Sequence, residues 1–207
     1  MKLRYAAITT LVLTTSSALA DTDYAIAYQS LDASITFGGA TVSGDGTGFT
    51  SQLTHLMDNG IGFLGSYSSM NGDIGTATWS LTSTTLGVGY AAVDNLTAGS
   101  GARVIAGLGY TLFDGELSLA DGTKTKTDGN SKLAMVDVTG RLNETISVSA
   151  TLQADLEGDV DPVFGVGINY DITDNGSMFV GYSSNSTTDT GVTTKLTGWT
   201  IGWSSSF

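Results

Sequence analysis

The sequence predicts an all-β fold, an antiparallel up-and-down transmembrane β-barrel of about ten strands, on three observations. Large apolar side chains alternate with small or polar ones along several segments, as in strands with one apolar and one polar face. The chain has 28 glycines and one proline, and glycine costs about 0.5 to 1 kcal/mol per helical position relative to alanine. Short turns rich in Asp and Asn recur between the alternating segments. Together these features favour strands joined by tight turns over helices.

The first 20 residues have the features of a secretory signal peptide. A positive start at Lys2 and Arg4 precedes a short apolar core, and an Ala-Leu-Ala cleavage site ends at Ala20. The apolar core is shorter than the roughly 20 residues that a membrane-spanning helix needs. We therefore expect residues 1–20 to be removed on export and residues 21–207 to form one barrel domain.

Charge and cysteine content exclude several classes of function. Without the first 20 residues the chain carries six cations against 20 carboxylates, a net charge of −14. Nucleic-acid binding needs a basic surface, so we expect no nucleic-acid partner. The chain has no cysteine, which removes disulfides, thiol catalysis and thiolate metal sites. We expect no cofactor and no metal.

Four segments show the alternation most clearly, with apolar side chains on one face only. They are residues 103–113, 133–142, 145–155 and 163–172. Their apolar faces carry no charged residue. Because Lys or Arg facing lipid at the bilayer midplane costs roughly 2 to 4 kcal/mol, this absence is what lipid contact requires.

Two other segments change phase partway along. In the first strand, Tyr24 and Tyr28 share a face, whereas Ile35 falls on the opposite one. A similar switch separates Trp79 from Leu86. For the first strand we expect a β-bulge, or a break into two pieces.

Repeated turns set the strand count. The triplet Asp-Asn-Gly occurs at 58–60 and 174–176, and shorter turns occur at 94–95 and 143–144. If these are the periplasmic turns, the five intervals hold five hairpins and therefore ten strands, with eight or twelve as alternatives. The predicted strands are 24–42, 46–57, 61–70, 76–92, 102–113, 131–142, 144–155, 162–172, 176–185 and 193–207. The predicted outer loops are 43–47, 70–76, 114–130, 157–162 and 185–191.

The last strand carries a resemblance to known proteins. Trp199, Ile201 and Trp203 alternate with small residues, and the sequence ends on Phe207. This pattern resembles the terminal strand of bacterial outer-membrane barrels, in which Trp203 and Phe207 would belong to the insertion signal. With the signal peptide, the acidic cysteine-free composition and the Asp-Asn turns, residues 21–207 resemble the OmpA-like and OmpX-like outer-membrane barrel families.

The resemblance implies a location and a set of partners. The protein would lie in the cell outer membrane, in contact with its lipids and lipopolysaccharide, after delivery by the barrel insertion machinery. Families of this shape serve in envelope integrity, adhesion or host interaction, and sometimes as narrow pores. The ligand of the outer loops is not implied.

Candidate functional residues lie on both faces of the predicted wall. Arg103, Asp137, Arg141 and Asp155 point inward, as a charge network that plugs the lumen or as a charge-selective constriction. Ten strands leave little internal space, which favours the plug. The predicted aromatic girdle or lipid-facing residues are Tyr110, Phe164, Tyr170, Tyr182, Trp199 and Trp203.

Two further features could indicate enzymatic or metal chemistry. His55, the only histidine, lies near the periplasmic end of the second strand, where we expect an interfacial role rather than a catalytic one with a serine and a carboxylate. We interpret the acidic segment Glu157 to Asp161 as a solvated loop rather than a Ca²⁺ site. The predicted function is a non-enzymatic integral outer-membrane barrel with a structural, adhesion or surface-interaction role. The alternatives are a small porin, a lipid-modifying enzyme and a soluble secreted β-sandwich.

Overall fold

The computed structural model describes residues 22–97, 99–157, 161–189 and 192–206. The strands of these residues are β1 (Thr22–Phe37), β2 (Ala40–Leu56), β3 (Ile61–Ile74), β4 (Ala77–Asp94), β5 (Ala102–Ser118), β6 (Lys124–Arg141), β7 (Ile146–Asp155), β8 (Val163–Thr173), β9 (Gly176–Asp189) and β10 (Val192–Ser206). Each pairs antiparallel with its neighbours in the chain, and β10 pairs with β1 to close a barrel. The prediction of a closed ten-stranded antiparallel barrel is confirmed. No helix in the described residues is long and apolar enough to cross a membrane.

The strands run farther than the sequence pattern predicted at one end of the barrel, which we call the upper end. β1 and β2 turn at Gly38 and Gly39, both with positive φ, of 57° and 83°. The expected outer loops 43–47, 70–76, 114–130 and 185–191 are wrong, because most of their residues continue β2, β3, β5, β6 and β9. Ser, Gly and Asp are common in loops, but they are equally compatible with a strand whose outer face meets water.

The predicted bulge or break in the first strand is also wrong. β1 pairs residue for residue with β2 from Thr22 to Phe37 and with β10 from Asp23 to Phe37. Register shifts occur instead near Ala91 in β4 and Asp171 in β8, both beside lower turns. The phase switch in β1 therefore needs another physical explanation.

The explanation is an inversion of environment along a continuous strand. In the lower part of β1, Tyr24 and Tyr28 point outward and are exposed, while the alternate residues are buried. In the upper part the apolar residues Leu31 and Ala33 point inward and are buried, while polar Asp32 points outward. β4 repeats this inversion without a register shift at that point, with Leu86 outward and Leu81 inward.

We therefore distinguish a lower barrel from an upper barrel. The lower barrel has a mainly polar interior, apart from one small apolar cluster of Ala25, Ala27 and Phe179, and an outer apolar belt. The upper barrel has a mainly apolar interior and a polar outer face. The apolar belt consists of exposed outward side chains, namely Tyr24, Ile26, Tyr28, Phe49, Leu53, Phe63, Tyr67, Leu86, Val88, Tyr90, Leu108, Tyr110, Leu112, Val136, Val138, Leu152, Phe164, Val166, Ile168, Tyr170, Met178, Val180, Trp199, Ile201 and Trp203. β7 and β8, with 10 and 11 residues, are the shortest strands. The other eight strands form the wall of the upper barrel.

Candidate functional site in the barrel lumen

Short polar side chains fill the middle of the lumen. The hydroxyls of Ser68 and Ser83 lie 2.8 Å apart, and those of Thr85 and Thr111 lie 2.7 Å apart. Gln29 of β1 is fully buried, and its amide donates to the Thr200 hydroxyl of β10 at 3.4 Å. Direct contacts between side chains of neighbouring strands therefore satisfy part of the interior polarity. Other buried polar atoms, among them both side-chain amide atoms of Asn169 and of Asn185, have no hydrogen-bond partner among the described residues.

A chamber lined by both apolar and charged side chains lies below this layer, at the lower end of the barrel. Its volume is about 70 Å³, and Asp23, Arg103 and Asp137 are among the side chains that line it. The Asp23 carboxylate accepts a hydrogen bond from the Ser206 hydroxyl at 2.5 Å, which ties β1 to β10 at the closing seam. A chamber of this size has room for a few water molecules, and its carboxylate, guanidinium and hydroxyl groups can bond to them.

The four predicted lumen charges do not form one network. The Asp137 carboxylate accepts a hydrogen bond from the Thr151 hydroxyl. Arg103 donates through Nε to the carboxylate of Asp94 at 2.9 Å. Asp155 accepts a hydrogen bond from a serine hydroxyl of β6 at 2.7 Å. Each charge therefore has a separate contact.

Arg141 has the most extensive set of contacts of the four. Its guanidinium pairs with the carboxylate of Asp171 and donates to the backbone carbonyl of Glu144 at 2.8 Å. Asp171 also accepts a hydrogen bond from Ser177 at 2.5 Å. This cluster joins β6, β8 and β9 at the lower rim. Sequence analysis missed the pairing, although the inward phase of Asp171 along β8 was a usable signal.

Large apolar side chains pack together in the upper lumen. Leu31, Met70 and Leu81 form a buried cluster in which Met70 is 1% exposed. The partly buried residues Trp79, Phe113 and Leu196 pack against this cluster. Side chains from β1, β3, β4, β5 and β10, which lie on one side of the barrel, thus meet in the upper lumen. We call this set the apolar closure.

Glycines on the inner face of β2 make the closure possible. A Cβ atom on Gly46 would lie 2.3 Å from the Trp79 ring, and one on Gly48 would lie 2.7 Å from Cγ of Met70. Any side chain at these two positions would occupy the space that the closure fills. The glycine content first interpreted as evidence against helices therefore has a packing role here.

The comparisons with known proteins bear on the fold. No family model and no curated protein matches the chain. The transport unit of the autotransporter AIDA-I from Escherichia coli aligns with a TM-score of 0.56 and 11% identity over 97% of this chain and 94% of that one. The chain has the fold of an outer-membrane β-barrel.

Two further outer-membrane barrels agree with this identification. The translocator domain of the autotransporter NalP from Neisseria meningitidis has a TM-score of 0.52 and 13% identity, covering 94% of this chain and 89% of that one. The outer membrane protease OmpT from Escherichia coli has a TM-score of 0.51 and 12% identity, covering 94% and 99%. At these identities the likeness establishes the fold, and function must be argued from the residues.

The predicted girdle residues belong to the outer surface of this outer-membrane barrel. Five of them are exposed in the apolar belt, namely Tyr110, Phe164, Tyr170, Trp199 and Trp203. Tyr182 is half-buried because its ring packs against Trp199, with centroids 5.1 Å apart. Aromatic side chains at this position suit the boundary between lipid and water.

The structure also places the residues considered for enzymatic or metal chemistry. His55 lies at the lower end of β2, where Nδ1 is 2.8 Å from the Thr22 hydroxyl. Glu157 pairs with Lys132 at 2.9 Å and Asp161 is exposed, whereas Asp159 lies outside the described residues, as do Phe207 and residues 1–20. In the described part of the chain, no group of three His, Cys, Asp or Glu side chains is arranged to hold a metal ion.

Proposed function

We propose that this is a non-enzymatic integral outer-membrane protein whose barrel is closed to solutes and supports the upper barrel at the cell surface. The observation that carries the proposal is the apolar closure, with Met70 at its centre only 1% exposed. Ions cross a pore with water, and an apolar constriction expels water. Side chains nearly fill small barrels of about eight strands, and ten strands add little space.

The upper barrel supplies a rigid surface for structural or adhesive contacts. Its strands pair in register well above the apolar belt, as between Asp32 and Asp45 of β1 and β2. On β5 and β6, Glu116 lies 2.6 Å from Nζ of Lys124 and 3.7 Å from Nζ of Lys126. A paired wall with charged side chains fits protein or lipopolysaccharide contacts better than passage of solutes. We propose the outer membrane, its lipids and the barrel insertion machinery as its surroundings and partners.

A recording in planar bilayers tests the closed lumen. We expect the purified full-length protein to give no steady unitary current, and Met70→Ser combined with Leu81→Ser to produce one by hydrating the closure. The matched control is Leu108→Ser, which changes an outward leucine of the apolar belt. Steady unitary currents from the unaltered protein would refute the proposal.

A narrow pore is the second candidate, because the charged chamber at the lower end resembles the entrance of a constriction. Under this alternative the unaltered protein conducts ions, and Arg103→Gln changes its ion selectivity because Arg103 lines the chamber. Under the closed-barrel proposal the same change leaves the recording silent. One pair of recordings therefore separates the two functions.

A further inference from the structure

A second cavity lies in the upper barrel, directly above the apolar closure. Its volume is about 50 Å³, and Met70, Leu81 and Leu196 form its floor. Ile35 and Leu117, which lie near the upper ends of β1 and β5, form part of its wall. The cavity is thus a short pit that faces the upper mouth of the barrel and is separated from the lower chamber.

The lining of this pit selects an apolar occupant. Nearly all its surface is carbon, contributed by aliphatic side chains and the ring of Trp79. A bound water needs two to four polar partners, whereas dry apolar cavities take up hydrocarbons. The pit therefore favours a hydrocarbon group over water or an ion.

The size of the pit selects a chain rather than a ring. An apolar cavity of about 150 Å³ accommodates benzene, and this pit is about 50 Å³. The closure seals it below, so a ligand enters from the mouth. A straight aliphatic chain can insert its last few carbons and leave its head group outside, which a flat ring cannot do.

Charge defines the head of the ligand. Without residues 1–20 the chain has a net charge of −14, which disfavours an anionic head at the mouth. Because the hydrocarbon end lies in the pit and the head group stays in water, an uncharged polar head suits this arrangement. We infer that the pit between Ala33, Trp79 and Leu196 binds the hydrocarbon end of an uncharged straight-chain aliphatic alcohol.

Fluorescence of Trp79 gives a direct test. The chain has three tryptophans, and Trp199→Phe with Trp203→Phe leaves Trp79 as the only one. The protein would be folded into phosphatidylcholine vesicles and titrated with 6-bromohexan-1-ol, whose bromine quenches indole on contact. We expect saturable quenching of at least twofold. Bromobenzene and 6-bromohexanoate should give only weak, non-saturating quenching, as collisions do.

Two variants complete the test. Ala33→Leu would fill the pit and abolish the saturable component, whereas Ala106→Leu, an equal change on the outer surface, should leave it intact. Ile35→Ala would widen the pit and let bromobenzene quench saturably. Linear quenching in every variant, or saturable quenching that survives Ala33→Leu in a folded barrel, would overturn the inference. The result is independent of conductance, because the pit lies above the closure.

Discussion

The lower and upper barrels are built from the same strands, yet the lower one is suited to lipid and the upper one to water. In the lower barrel Tyr28 faces outward and Gln29 is buried inside; three residues higher on β1, Leu31 is buried and Asp32 faces outward. The pairing register of the strand does not shift between them. The lower barrel places apolar side chains outward, as contact with lipid requires, and the upper barrel places them inward, as contact with water requires. One sheet can thus carry both patterns if its apolar face changes sides at the membrane boundary.

Removing side-chain volume from the core should give the largest difference in unfolding free energy between the upper and lower barrels. Met70→Ala deletes most of a fully buried side chain in the upper barrel, and we expect a loss of about 2 to 5 kcal/mol in the free energy of unfolding. Met178→Ala is the matched control in the lower barrel, where the side chain is 45% exposed on the outer face. Urea unfolding in lipid vesicles measures both. Equal losses would mean that the upper interior is not a packed core.

A charge placed on the outer face gives the reciprocal comparison. Leu108→Arg puts a cation in the apolar belt, where we expect a cost of roughly 2 to 4 kcal/mol if the belt faces lipid. Ser80→Arg puts the same cation on the outer face of the upper barrel and should change the unfolding free energy very little. Urea unfolding in lipid vesicles again measures both variants. A tolerated Leu108→Arg would place the belt in water and contradict the membrane assignment.

Ion pairs should also matter more at the lower rim than on the upper wall. The side chains of Arg141 and Asp171 are 7% and 16% exposed, so Arg141→Gln should cost about 1.5 to 3 kcal/mol, as for a hydrogen bond to a charged group. Lys124→Gln removes an exposed pair with Glu116 and should leave stability unchanged within error. Adding Asp171→Asn to Arg141→Gln should recover part of the loss. Without such recovery, the stabilisation comes from the other Arg141 contacts.

The comparison of the two halves also explains how much the sequence could predict. The number of strands followed from local signals, because Asp-Asn-Gly turns and the alternation around Ile168 depend on neighbouring residues. The inward orientation of Arg103 and Arg141 likewise followed from the alternation of residues along their strands. The switch between Tyr28 and Leu31 was misinterpreted as a bulge, because a single phase was assumed for the whole strand. That assumption fails where a strand passes from one solvent to another.

The candidate site was less predictable for a related reason. Arg141 was expected to join the inward charges of Asp137 and Asp155, but the structure pairs it with Asp171 on β8. Such contacts depend on the register of several strands and on the turn between them, which no local pattern encodes. The apolar closure depends on five strands at one height. Only the glycines of β2, Gly46 and Gly48, hinted that large side chains would cross the lumen there.

The smallest expected effect concerns titration on the upper wall. The hydrogen bond from Lys124 lowers the pKa of the Glu116 carboxyl, with Ser118 and Lys126 acting in the same direction. A lowered pKa in the folded state means that the contribution to stability is present above the unfolded pKa and is lost as pH falls through the folded value. Because the pair is exposed, salt should weaken it. Carbon-detected NMR should show a lower Glu116 pKa in the unaltered protein than in Lys124→Gln, and the gap should narrow in high salt. If the two values coincide at low salt, Glu116 is free in solution and the ion pair does not order the upper wall.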